Sequence, residues 1–153
     1  MKITVICLGK SKKEYVQLGI SEYLKRIPKF YNLEILELPD VKLTKSNSIE
    51  IVKKKEAEII AKHLHKDDFV IALDERGKQF SSVEFSSYFD NLLGKNIVFI
   101  IGGVYGLDSE IRNSANLLLS FSKFTFTHQM IRFLLIEQIY RAFTIINNKK
   151  YHY

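Results

Sequence analysis

Only one cysteine, Cys7, occurs in 153 residues, so no internal disulfide can form and a cross-linked secreted scaffold is excluded. It lies in an apolar stretch with no adjacent ligand partner, which reads as a small core residue in a reducing, cytoplasmic protein. Two prolines and seven glycines leave no room for a low-complexity linker, and no internal repeat is visible. No run approaches the roughly 20 apolar residues of a membrane span. The opening Met1-Lys2-Ile3-Thr4-Val5 reads as a strand rather than a signal peptide, so a soluble protein is expected. The phosphate-binding pattern GxxxxGK followed by Ser or Thr is absent, which disfavours nucleotide hydrolysis. His63 and His65 lack further ligands nearby, so a surface role at a helix C-terminus is expected there and no metal site.

What is present is an alternation of strand and helix patterns. Short apolar runs at Met1–Leu8, Leu33–Leu38, Phe69–Leu73, Ile97–Ile101 and Leu117–Ser120 read as five strands. Between them, Lys12–Ile27 carries Tyr15, Val16, Leu18, Ile20, Tyr23, Leu24 and Ile27 at helical spacing, closed by Pro28. A second helix is predicted from about Ile49 to Leu64, capped by Ser46 or Ser48, with Lys53–Lys55 and Glu56 on a solvated face. A third covers Ser81–Leu93, with Ser81 or Ser82 as cap and Val83, Phe85, Phe89 and Leu92 or Leu93 inward. Residues 1–153 are therefore expected to form one α/β domain, a mostly parallel sheet flanked by helices.

Two strand ends lead into loops suited to a ligand. Ile97–Ile101 stops at Gly102-Gly103, and Gly106 follows; glycines leave backbone N–H groups uncovered and allow close approach. Asp108 is a helix cap and Glu110 suits the first turn. A tight strand-to-helix turn without ligand explains this loop equally well, and GGxxG is not the dinucleotide fingerprint. The second loop, Ser120 to Phe126, interleaves aromatics with hydroxyls and Lys123, which can wrap a flat ring; an ordinary strand edge followed by a Thr127 cap is the plainer alternative. A third strand end, Asp74-Glu75-Arg76-Gly77-Lys78, brings charge and a glycine. Ligands in parallel sheets bind where the strands' carboxyl ends open into such loops.

The net charge of +6 favours a polyanionic partner. Lysines and arginines gather at Lys10, Lys12 and Lys13, at Lys25, Arg26 and Lys29, and at Lys149-Lys150. Singly each is a solvated face; converging on the loops they would form a footprint for phosphates. The last helix, His128 to Asn147, is apolar on more than one face, which fits either a subunit interface or an internal core. Glu137 and Arg141 have the favourable i,i+4 order of a surface pair. The aromatic ending Tyr151-His152-Tyr153 suggests a docked tail.

Taken together, IGGVYG, LSFSKFTFTHQM, LIEQIYRAF, the terminal YHY, the opening MKITVICLGK, EYLKRIPKF and LELPD resemble the RlmH family of SPOUT-superfamily methyltransferases along essentially the whole chain. The one visible departure is Thr127, where the family commonly has proline before the histidine. The resemblance implies methylation of N3 of a pseudouridine in large-subunit ribosomal RNA, with no DNA or membrane partner. It implies S-adenosylmethionine as cofactor, held by Leu73, Gly102 and the segment Phe121, Ser122, Lys123, Phe124, Thr125, Phe126. A C-terminal trefoil knot and a homodimer with interfacial sites are implied too, and Arg141 then faces the site. That chemistry needs the N3 proton removed and the developing charge stabilised, roles suited to His128 and Arg141. Tyr151 either stacks on the target base or cofactor, or tucks against its own surface. Two other readings stay open: a methyltransferase acting on another RNA such as transfer RNA, and a non-enzymatic basic RNA-binding protein whose aromatic loop is a base platform.

Overall fold

A computed structural model describes residues 2–153; Met1, counted above in the first strand, lies outside the described residues. Five strands, β1 (Ile3–Leu8), β2 (Leu33–Leu38), β3 (Asp68–Gln79), β4 (Asn96–Ile101) and β5 (Leu117–Ser120), form one sheet in the order β2-β1-β4-β3-β5. All four strand pairings are parallel, so the fold is α/β with a parallel sheet, as the alternation predicts. The helices are α1 (Glu14–Arg26), α2 (Ile49–Ala61), α3 (Ser82–Asp90), α4 (Ser109–Ser114) and α5 (His128–Ile146).

The period-2 alternation of strand side chains sends them to two separate cores. Ile3, Val5, Ile97, Phe99 and Ile71 pack beneath α1, α3 and α5, together with Phe89, Leu135, Ile139 and Phe143. Ile6, Leu8, Val98, Ile100 and Val70 pack on the other face against Ala57 and Ile60 of α2 and Ile111 of α4. Both sheet faces are thus covered, which is why the central strands read as unbroken apolar runs.

Local signals place most helix starts. Ser48 caps α2 by accepting from the Ile51 N–H, and Ser81 with Glu84 forms a full capping box on α3. Thr127 accepts from the Met130 N–H and so begins α5 without a proline. The start of α1 has no such residue of its own. Gln129, in the first turn of α5, accepts from both the Lys12 and Lys13 N–H groups and so fixes the chain just before α1 from across the fold.

The structure corrects four sequence expectations. α1 begins at Glu14, and Tyr15 and Leu18 point outward, 58% and 65% exposed, so its apolar stripe is narrower than the spacing suggests. Val83 also faces out, because the capping box sets the phase of α3 on Phe85 and Phe89. Glu56 is buried rather than solvated. The predicted loop after Leu73 is part of β3, which runs to Gln79 with a register break: Leu73 and Lys78 both pair with Leu119, and the residues between bulge out. Gly77 makes this possible, since a Cβ there would fall 2.6 Å from the Leu118 carbonyl carbon and oxygen.

Candidate functional site

The carboxyl ends of β3, β4 and β5 open into one cavity of about 710 Å³, the size of a small-molecule site. The β3 bulge supplies its first wall through Leu73, Asp74, Glu75 and Arg76. Arg112 of α4 reaches the same wall and pairs with Asp74 at 3.6 Å, fixing the bulge against the helix that follows β4.

The glycine loop makes the second wall. It folds on itself, with the Gly106 N–H donating to the Gly103 carbonyl at 3.1 Å, and Gly106 takes φ +77°, a conformation open to glycine. At Gly102 a Cβ would sit 2.9 Å from the Gly106 carbonyl carbon, so only glycine lets this turn close. Buried Leu107 anchors the far side, and Asp108 caps α4 by accepting from the Glu110 N–H at 2.8 Å.

The third wall is the chain from Leu119 to His128. Ser120 donates to the Ser122 carbonyl at 2.9 Å, and the Ser122 hydroxyl accepts from the Phe124 N–H at 3.1 Å. These bonds hold an irregular segment in a defined shape. Phe121 turns into the core, whereas Phe124 is 81% exposed at the rim. Leu73, Gly102, Phe121, Ser122, Phe124, Thr125, Phe126 and His128 therefore meet in one place, although three separate segments carry them. Lys123 is exposed and does not line the cavity.

His128 opens α5 with its ring at the cavity. Its pKa is lowered by burial first and by the Arg132 guanidinium second, against a smaller opposing pull from Asp40. The imidazole is consequently biased toward its neutral form, a proton acceptor. Arg132, one turn further along, is fully buried; it donates to the Ser11 hydroxyl at 3.0 Å and to the Leu8 carbonyl, and lies 3.5 Å from Glu37. It ties the start of α5 to the end of β1.

Arg141 and Tyr151 lie elsewhere in the chain. Arg141 is thirteen residues past His128, about 20 Å along the helix. There it donates to Glu137 Oε1 at 2.6 Å, its guanidinium lies 4.7 Å from the Tyr151 ring centroid, and the Tyr151 hydroxyl donates to the same Glu137 oxygen at 3.0 Å. Tyr23 of α1 and His152 complete the cluster. Tyr151 and His152 are thus docked against their own chain, whereas Tyr153 is fully exposed. Burial, reinforced by the hydrogen bonds with Tyr23 and Glu137, raises the Tyr151 pKa and keeps it a phenol. The basic groups divide in the same way: Lys10, Lys12 and Lys13 follow β1 at the cavity end, while Lys25, Arg26 and Lys29 close α1 at the other end of the sheet.

Sequence reasoning missed Lys53 and Arg112 on the cavity wall, and buried Arg132, whereas Arg76 lies in the charged strand end it singled out. Arg132 had a signal: it shares a helical face with Ile136, Ile139 and Phe143 inside an otherwise apolar stretch. Lys53 and Arg112 had none, because the packing of α2 and the short α4 brings them in.

A family model described as "Predicted SPOUT methyltransferase" matches residues 1–152. Relatives named Ribosomal RNA large subunit methyltransferase H include that of Clostridium botulinum (strain 657 / Type Ba4), 44% identical and aligned over 99% of both chains. That of Parabacteroides distasonis is 42% identical over 100% of this chain and 99% of its own. The Caldicellulosiruptor saccharolyticus protein of that name is 45% identical over 98% of this chain and 99% of its own. Among solved structures, a probable methylase family protein from Haemophilus influenzae Rd KW20 superposes with a TM-score of 0.55 at 16% identity, over 99% of this chain and 70% of that one, and supports the fold. With a family match along nearly its whole length and relatives of this similarity, the chain belongs to the SPOUT methyltransferase family.

Proposed function

We propose that the protein transfers the methyl group of S-adenosylmethionine to N3 of a pseudouridine in large-subunit ribosomal RNA. On this reading it acts on the assembled ribosome in the cytoplasm, as a homodimer of single-domain chains with a C-terminal knot. The observation that carries the reading is the cavity formed by Leu73, Gly102 and the 121–126 segment, in a chain whose full-length relatives bear the name of a large-subunit ribosomal RNA methyltransferase.

The residues present fit the cofactor. Gly102 leaves no room for a Cβ and so keeps main-chain groups at the cavity surface, and the hydroxyl-braced aromatic segment offers a flat apolar wall with backbone polar atoms. Leu73, Gly102 and the main chain of Phe121 to Phe126 would hold it; Lys123, off the wall, would contribute through its backbone. When bound, S-adenosylmethionine supplies an electrophilic sulfonium methyl, so the chain must add alignment and a competent nucleophile. His128, biased neutral at the cavity, accepts the N3 proton. Arg141 stabilises charge developing on the ring oxygens, and Tyr151, held as a phenol, donates or stacks rather than acting as a base. Since these two stand about 20 Å from His128 in one chain, a second copy supplies them, its Arg141 end set against this cavity. Exposed Tyr15 and Leu18 on α1 beside α5 give such a dimer apolar surface to bury.

The test is transfer of labelled methyl from S-adenosylmethionine to ribosomes lacking the modification, followed by nucleoside mass spectrometry. Label in 3-methylpseudouridine is expected. Label absent from ribosomes despite cofactor binding moves the substrate to another RNA; neither label nor cofactor binding leaves the non-enzymatic reading. Activity restored on mixing inactive His128→Ala and Arg141→Ala proteins is expected for a site shared between copies.

A further inference from the structure

Glu56 is 4% exposed on α2, because Val52 and Ile60, one turn before and after it, are both buried. Its Oε1 accepts from the Val41 N–H at 3.1 Å, in the loop that follows β2. Its Oε2 is buried without a hydrogen-bond partner, and among the described residues no cation forms an ion pair with it. Burying a carboxyl group with one unpaired oxygen opposes folding. An apolar residue of similar volume would serve the core better.

What the carboxyl group touches explains its presence. A Cβ on Gly103 would lie 3.1 Å from both Glu56 oxygens, so the side chain is packed directly under the glycine loop. Gly103 does not have positive φ, so its backbone would accept alanine; the contact that opposes it is Glu56, whose carboxyl group would have to shift by a few tenths of an ångström. Gly103 also holds the hydrogen bond that closes the loop onto Gly106. One side chain thus braces both the loop after β2 and the loop after β4, the second of which lines the cavity.

We propose that Glu56 is a positioning residue for methyl transfer, setting the Gly102–Gly106 loop in its cofactor-binding shape while lowering the stability of the chain. This rests on the reading of the cavity as an S-adenosylmethionine site. The decisive comparison is among wild type, Glu56→Leu and Glu56→Gln. Glu56→Leu is expected to melt at or above the wild-type temperature, to bind S-adenosylmethionine about tenfold more weakly through lost preorganisation, and to exchange the amides of Val41, which loses its acceptor, and of residues 103–107 faster while amides elsewhere are unchanged. Glu56→Gln keeps the Val41 acceptor and the shape, and should restore affinity. Gly103→Ala should weaken binding in the wild-type background and do so less in Glu56→Ala, where space has been made. Wild-type affinity and exchange in Glu56→Leu overturn the proposal, as does a fall in melting temperature with faster exchange throughout the chain. If wild type itself binds no S-adenosylmethionine, the proposed function fails, and the amide-exchange pattern still decides the role of Glu56.

Discussion

Replacing Gly77 with alanine should damage the sheet more than the loss of any exposed side chain. The new Cβ would fall 2.6 Å from the carbonyl carbon and oxygen of Leu118 and 2.7 Å from that of Leu119. Ordinary contact begins near 3.4 Å, so β3 and β5 must separate by about 0.8 Å, and because the obstacle is backbone no rotamer change relieves it. Overpacking of this kind costs about 1–3 kcal/mol, and a purely backbone clash belongs at the upper end. The entropy that alanine removes from the unfolded chain returns only about 0.4–1 kcal/mol. A net loss near 2 kcal/mol lowers the melting temperature by about 4–8 °C in a domain of this size. Leu119 lines the cavity, so cofactor affinity should fall in parallel. Calorimetric melting is the assay, with Gly19→Ala as the comparison: its Cβ meets the Phe133 ring at 2.7 Å, a side chain that can turn aside. A Gly77→Ala protein melting within about 1 °C of wild type, or a larger loss in Gly19→Ala, would refute the reasoning.

His128 should make stability fall with acidification. Its folded pKa lies below the ordinary 6.5, so above pH 6.5 both states are neutral and it contributes nothing; as pH drops below 6.5 the unfolded chain takes the proton first and the native state loses ground until the folded pKa is passed. Urea midpoints at pH 7.5 and about 5.5 should therefore diverge between wild type and His128→Gln, with wild type losing more, and parallel behaviour would contradict the shift. Arg132→Met should cost about 1–3 kcal/mol, chiefly by leaving the buried Leu8 carbonyl without its donor. Arg132→Lys should not repair it, because one ammonium cannot match the guanidinium fork that spans Leu8 and Ser11; an unchanged or raised melting temperature in Arg132→Met would count against this.

The sheet was legible because its strands are buried on both faces, so each wrote an apolar run such as Ile97 to Ile101 with little interruption. Caps were legible for the same local reason: Ser48, Ser81, Asp108 and Thr127 act within three residues of themselves. Strand order was not, since no local pattern encodes that β4 inserts between β1 and β3. Charged residues misled wherever tertiary contacts override composition. Glu56 sits among lysines in sequence and reads as solvent-facing, yet its spacing from Val52 and Ile60 marks it as inward, and the phase was the better guide. The bulge in β3 depends on Gly77 meeting a strand forty residues later, which the glycine alone does not announce. For the cavity, the glycine and aromatic loops were visible as chemistry, while Arg112 and Lys53 were placed there only by the packing of α4 and α2.

The side chain of Gln129 that holds the chain leading into α1 comes from 117 residues beyond Lys12, the first of the two residues it accepts from. Its helix also contributes Leu135, Ile136, Ile139, Ala142 and Phe143 to the core beneath α1 and α3. During synthesis, then, the segment leading into the first helix emerges with unpaired backbone donors and the helix with a face that nothing yet covers, and both wait for α5, made long after them. Closing so long a loop is slow relative to local helix formation, so the order of folding should run against the order of translation, with the amino-terminal layer maturing only once α5 has left the ribosome.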